Sequence, residues 1–307
     1  NIKYAYYWFH DAWAGAFTQR AGVADWIVTT QFGTVVVAIS SIALLYVIVE
    51  RRVSNPKLRI LVLAIVASPS LIGAPSALLS LASFSQMLAL LWIITLAFLI
   101  DEFFAKANKA TLLLIVLFSC VLVMTKLTIA VPVIAGHIAA WAALTTFKST
   151  NKGLKLFAVT GGLSILASGV LYSIFIKPEP ELAQTYFTFE IGFTEKMFGI
   201  VTGQLILDSV IFFIVKAFAS SQVFANRRAL KDPFTLTMLS ISLASLGCAL
   251  LIEFELSVAN TYMLVPFLAL FTLIVGIETV NKFDQLKAGF KQVRTYSLLA
   301  IAIGLLA

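Results

Sequence analysis

From Thr111 to Phe147 the chain is apolar and carries one charge, Lys126, near the middle. A transmembrane helix takes about 20 apolar residues, so this stretch is long enough for two. Its natural break is Met124-Thr125-Lys126-Leu127-Thr128, with Pro132 shortly after. The pattern therefore predicts a helical hairpin with Lys126 at its tip, at one membrane face or just inside it. An ammonium in hydrocarbon costs about 2.5 kcal/mol or more, so it either faces protein, water or an anion, or snorkels to the boundary.

The same alternation of apolar runs and short polar breaks organises the rest of the chain. Residues 1–23 mix Tyr4, Tyr6, Tyr7, Trp8, Phe9, Trp13 and Phe17 with His10, Asp11, Gln19 and Arg20. Tyr and Trp favour the membrane–water boundary, so this segment reads as a helix lying along the surface. Spans are predicted over 24–49, about 60–79 and about 84–100, with 101–109 as a charged loop. After the hairpin come spans at 156–176, 200–215, 234–254 and 262–280. The longest polar stretch, 177–199, lies between the first two of these, and a last span begins at Thr295. The expectation is an all-α polytopic bundle forming a single transmembrane domain, with nine full spans and part of a tenth. Because the chain starts at Asn1 without a methionine and stops inside an apolar run, both ends are expected to be truncated.

Composition agrees. The chain is 60% hydrophobic and 12% charged, with a mean hydropathy of +0.98, whereas soluble domains are nearer 45–50% apolar and about 25% charged. The net charge of +7 is explained by loop topology rather than by nucleic acid. If the 51–59 loop is placed inside and sides alternate, the inner segments 51–59, 101–109, 148–155, 216–232 and 281–294 hold 17 of the 22 Lys and Arg residues. The positive-inside rule then sets the orientation. The 1–23 segment, the Lys126 tip, the 177–199 loop and the 255–260 turn share the outer face. Cys120 and Cys248 sit in apolar runs and suggest neither a disulfide framework nor a metal site.

Candidate chemistry gathers on that outer face. Asp208 lies about two turns inside the 200–215 span, on one helix face with Gln204. A carboxylate there is either functional or a protonated or paired structural acid. His10 and Asp11 are weaker candidates. His137, in the second arm of the hairpin, is better read as a histidine hydrogen-bonded to a neighbouring helix. Soluble-enzyme motifs are missing: no phosphate-binding glycine loop, no Gly-x-Ser-x-Gly and no His-Glu-x-x-His. Internal repeats are not detectable, which argues against an inverted-repeat transporter.

Three short segments carry a resemblance. Leu122-Val-Met-Thr-Lys126-Leu-Thr resembles the Leu-Thr-Lys turn of the GT-C superfamily of polytopic glycosyltransferases. The N-terminal Tyr-Tyr-Trp-Phe-His-Asp-Ala-Trp-Ala-Gly resembles the Tyr-His-x-x-x-x-Ala-x-Ala-Gly segment of many bacterial members. Asn260-Thr-Tyr262-Met-Leu-Val-Pro266 resembles the Asn-x-Tyr-x-x-x-Pro that opens a late span. The resemblance implies a transferase that moves a sugar from a polyprenyl-phosphate donor to an acceptor at the outer face of a bacterial cytoplasmic membrane. It implies Lys126 as the ligand of the donor phosphate, and a cavity rim of Tyr7, His10, Lys177, Asn260 and Tyr262, with 177–199 as a lid. The family's catalytic acid usually lies upstream of the Tyr-His segment, so Asp11 and Asp208 are the candidates left within the chain, and Tyr7 stands where the family often has histidine. No cofactor is firmly implied, although a divalent metal is compatible, and no residue is assigned as a metal ligand. The expected partners are the lipid-linked donor and membrane lipids, not nucleic acid. Two other readings of the residues stay open: a transporter or lipid flippase with Lys126 and Asp208 on its path, and a non-catalytic membrane subunit.

Overall fold

The computed structural model describes residues 33–67, 84–146, 154–175, 189–193, 231–254 and 262–286, with short pieces at 15–16, 18–20 and 22. Eight helices are described: α1 (Gly33–Arg52), α2 (Pro56–Ala67), α3 (Phe84–Ala105), α4 (Lys109–Thr125), α5 (Leu127–Thr146), α6 (Leu154–Phe175), α7 (Pro233–Leu251) and α8 (Thr272–Leu286). The five-residue π-helical turn Phe267–Phe271 leads into α8. Two short strands, β1 (Phe189–Ile191) and β2 (Ile252–Phe254), pair antiparallel. Among the described residues α1, α3, α5 and α7 are long and apolar enough to cross a membrane. The architecture is that of an integral membrane helical bundle.

Local chemistry sets the helix boundaries. Asn108 caps α4, its side chain accepting from the Ala110 N–H at 2.9 Å. Asp232 caps α7 with two bonds, from the Thr235 N–H at 2.9 Å and the Thr235 hydroxyl at 2.8 Å, and Pro233 occupies the first turn. Both use the side-chain acceptor that orphan N–H groups require. At its other end α1 closes on Arg51 and Arg52, whose charge complements the negative end of the helix dipole.

The helix break falls where the sequence predicts it: one residue, Lys126, separates α4 from α5. Its backbone is extended (φ −160°, ψ 98°). Its N–H donates to the Leu122 carbonyl at 2.8 Å, and its own carbonyl accepts from Ile129 and Ala130. Lys126 thus ends one helix and starts the next with no intervening loop.

Three expectations are corrected. Helix α3 runs on through Asp101 and Glu102 to Ala105 where a loop was expected, because both carboxylates meet arginines across the bundle. Helix α7 stops at Leu251, and Ile252–Phe254 pairs with β1 instead of completing a span. The segment expected as a span over 262–280 is broken by a turn and the π-helical segment, then continues past Val280 to Leu286.

One large apolar cluster joins α1, α2, α3, α4, α5, α7 and α8, with Phe157 of α6. Its most extensive interface is α5 on α7. At that crossing a Cβ on Gly136 would lie 2.3 Å from the Ile241 Cα, so the two backbones meet as closely as glycine allows. The outward faces of α1, α4 and α6 are apolar, with Ile39, Leu113, Leu117 and Leu166 more than half exposed, as a surface turned to lipid requires.

The polar residues separate to two ends. Arg51, Arg52, Asp101, Glu102, Asp232 and Asn281, from four of the five segments grouped by positive charge, converge at one end. At the opposite end of α7, β1 of the 177–199 stretch pairs with β2, Glu190 opposite Glu253, and the Gly192 N–H donates to the Leu251 carbonyl.

Candidate functional site

Lys126 is one of the largest fully buried side chains in the described structure. Its Nζ sits 3.5 Å from the centroid of the Tyr262 ring. A desolvated ammonium on an aromatic face gains about 2 kcal/mol or more, which offsets part of the cost of burying the charge. Two of the segments that carry the GT-C resemblance, far apart in the chain, are therefore in contact. The α5 N-terminus adds to the site, because the first N–H groups of a helix lack intrahelical acceptors and its dipole favours negative charge. Thr128, in that first turn, is 1% exposed, and its hydroxyl has no hydrogen-bond partner among the described residues. An ammonium, a helix N-terminus and an unsatisfied hydroxyl within three consecutive residues form a pattern suited to an anion.

Tyr262 is held in an irregular segment. Pro266 has no N–H to offer the Tyr262 carbonyl. One residue further on, where Phe267 N–H would bond Met263 C=O in a regular helix, the Ser245 hydroxyl from α7 intervenes. It donates to the Met263 carbonyl and accepts from the Phe267 N–H at 3.1 Å. One α-type bond follows, from Leu268 N–H to Leu264 C=O at 2.9 Å, at the start of the π-helical turn. Ser245 is fully buried; sequence reasoning did not single it out, and nothing in its local sequence marks it.

His137 takes the structural role that the sequence suggested. Its Nε2 donates to the Phe157 carbonyl of α6 at 3.3 Å, and its ring stacks on Phe157 with centroids 4.0 Å apart. Gly161 makes room for it, since a Cβ there would lie 3.1 Å from the ring.

The other end holds an ionic network that the sequence analysis treated only as loop charge. Arg52 pairs with Asp101 of α3 and with Asp232 at 2.6 Å, lies 4.2 Å over the Phe234 ring, and accepts at its carbonyl from Asn281 Nδ2 at 3.2 Å. Arg51 bonds Glu102 at 2.7 Å and lies 4.9 Å over Phe98. A cavity of about 730 Å³ opens beside these groups, lined also by Lys106 and Glu278. The signal was present in the sequence as arginines and carboxylates at the ends of apolar runs.

Of the residues the sequence nominated, Lys126 and Tyr262 are described and are brought together. Asp11, Asp208, Tyr7, His10, Lys177 and Asn260 lie outside the described residues. Among the described residues no three His, Cys, Asp or Glu side chains gather to hold a metal ion. Comparison with protein-family models, curated proteins and solved structures finds no match to this chain.

Proposed function

We propose that this chain is a GT-C-like membrane glycosyltransferase that moves a sugar from a polyprenyl-phosphate donor to an acceptor at the outer face of the membrane. One observation carries the reading: the buried ammonium of Lys126 stands at a helix break against Tyr262, and both residues belong to segments that resemble the family's. A lipid phosphate is the anion that such a site suits. The leaving group carries charge, and a lysine beside it with the α5 N-terminus would stabilise that charge as the glycosidic bond breaks. The polyprenyl chain would lie along the apolar helix faces. A carboxylate, Asp11 or Asp208, would take the proton from the acceptor hydroxyl. Lys126 meets Tyr262, whose segment bonds Ser245 towards the end of α7 that leads into β2, while the arginine network meets the other end of α7, which supports an outer location for the site.

The test is transfer by the purified protein from a polyprenyl-phosphate sugar. Lys126→Ala should insert and fold yet lose about a hundred- to a thousand-fold in rate, the usual effect of removing a donor to developing charge. A Lys126→Ala protein that binds donor lipid and turns over like the parent would overturn the reading.

A further inference from the structure

The Lys126 site is closed: its ammonium is fully buried, and among the described residues the Tyr262 ring lies against it. The segment carrying Tyr262 is irregular. The Tyr262 carbonyl is denied an N–H by Pro266, the backbone turns at Met263 and Leu264, and a π-helical segment follows at Phe267–Phe271. A π-helical turn inside an α-helix is rare and is found most often at functional sites. The break is held by one side chain from another helix. Ser245 of α7 places its hydroxyl between the Met263 carbonyl and the Phe267 N–H and satisfies both. Insertion of a side chain into the helical ladder is a standard cause of a kink. Without that hydroxyl the two backbone groups can bond each other, which straightens the segment and re-aims Tyr262.

We propose that Tyr262 is a gate over Lys126, and that Ser245 is the positioning residue that sets the gate by wedging open the helix behind it. The proposal rests on the reading above only for what Lys126 binds. The gate itself rests on the burial of Lys126, the ring against it and the wedge.

Gating is read out without any sugar transfer. The full chain in detergent micelles is treated with a small amine-acylating reagent, and modification is followed residue by residue by mass spectrometry. Lys106, which is exposed, reports the reagent. Cys120, which is buried in α4, reports general loosening through a parallel thiol reagent. In the parent, Lys126 should react far more slowly than Lys106. Tyr262→Ala and Ser245→Ala should each raise Lys126 modification by roughly fivefold or more, the population change that losing one ordinary hydrogen bond produces, with Cys120 still protected. Tyr262→Phe and Ser245→Thr, which keep the ring and the hydroxyl, should stay near the parent. Unchanged protection in Tyr262→Ala overturns the gate. Unchanged protection in Ser245→Ala, or a rise matched at Cys120, overturns the positioning role. Should Ser245→Ala not yield folded protein, Pro266→Ala poses the same question by restoring an N–H opposite the Tyr262 carbonyl; it too should expose Lys126, and unchanged protection there overturns the hinge. Normal gating in a protein without transfer activity would count against the transferase reading alone.

Discussion

Lys126 shows how one residue can end a helix, begin another and carry a charge into a buried position. A snorkelling lysine would need an exposed head; this one is buried against a tyrosine face, which removes the interfacial-marker reading and leaves an ammonium held within the bundle. Its geometry also separates lysine from arginine. A compact point charge fits over one ring face, whereas a guanidinium is a planar fork that needs wider, directed partners. Lys126→Arg should therefore restore only part of the transfer lost in Lys126→Ala, and full rescue would mean that charge alone is needed. His137 gives the contrasting case. Its ring nitrogen is used on a backbone carbonyl and its face on Phe157, so it belongs to packing.

At the scale of elements, the α5–α7 crossing sets how the Lys126 helix sits against the helix that carries Ser245. Glycine at 136 lets the two backbones meet, and the atom a side chain would strike is the Ile241 Cα, which has no rotamer to escape into. Gly136→Val should therefore force the helices apart and cost about 1–3 kcal/mol, as overpacking does, seen as a lower unfolding midpoint in detergent micelles. An unchanged midpoint would show that the crossing is loose. The break at Lys126 was legible beforehand because an isolated charge in a long apolar run has few places to go. The irregular stretch between Tyr262 and Phe271 was not. Pro266 at four residues from Tyr262 announces a missing bond, but the group that exploits it comes from α7, and hydropathy contains no signal for a serine on another helix. The extension of α3 through Asp101 was hidden for a related reason: two acids at the end of an apolar run read as a loop until their arginine partners are known.

Across the whole molecule the two ends are fastened differently. One end is tied by charge, with Arg52 touching α3, α7 and α8 at once. These pairs are half-buried, so their coupling should be measurable: Arg52→Gln combined with Asp101→Asn should show an interaction energy of about 1 kcal/mol, within the range for contacting residues. Additive effects in that double-mutant cycle would mean that the pair is not energetically joined. The sidedness assigned from the basic residues is tested with Cys120 and Cys248 replaced by alanine. A cysteine at Glu190 should label with an impermeant thiol reagent in intact cells, and one at Lys106 only after permeabilisation; the reverse pattern would invert the protein. The single-residue joint at Lys126 has a consequence for biogenesis. With no loop between α4 and α5, neither helix can be placed without fixing the start of the other. With Lys126 on the outer face, as proposed, the two would leave the insertion machinery as a pair, the lysine between them leading a wedge of apolar chain.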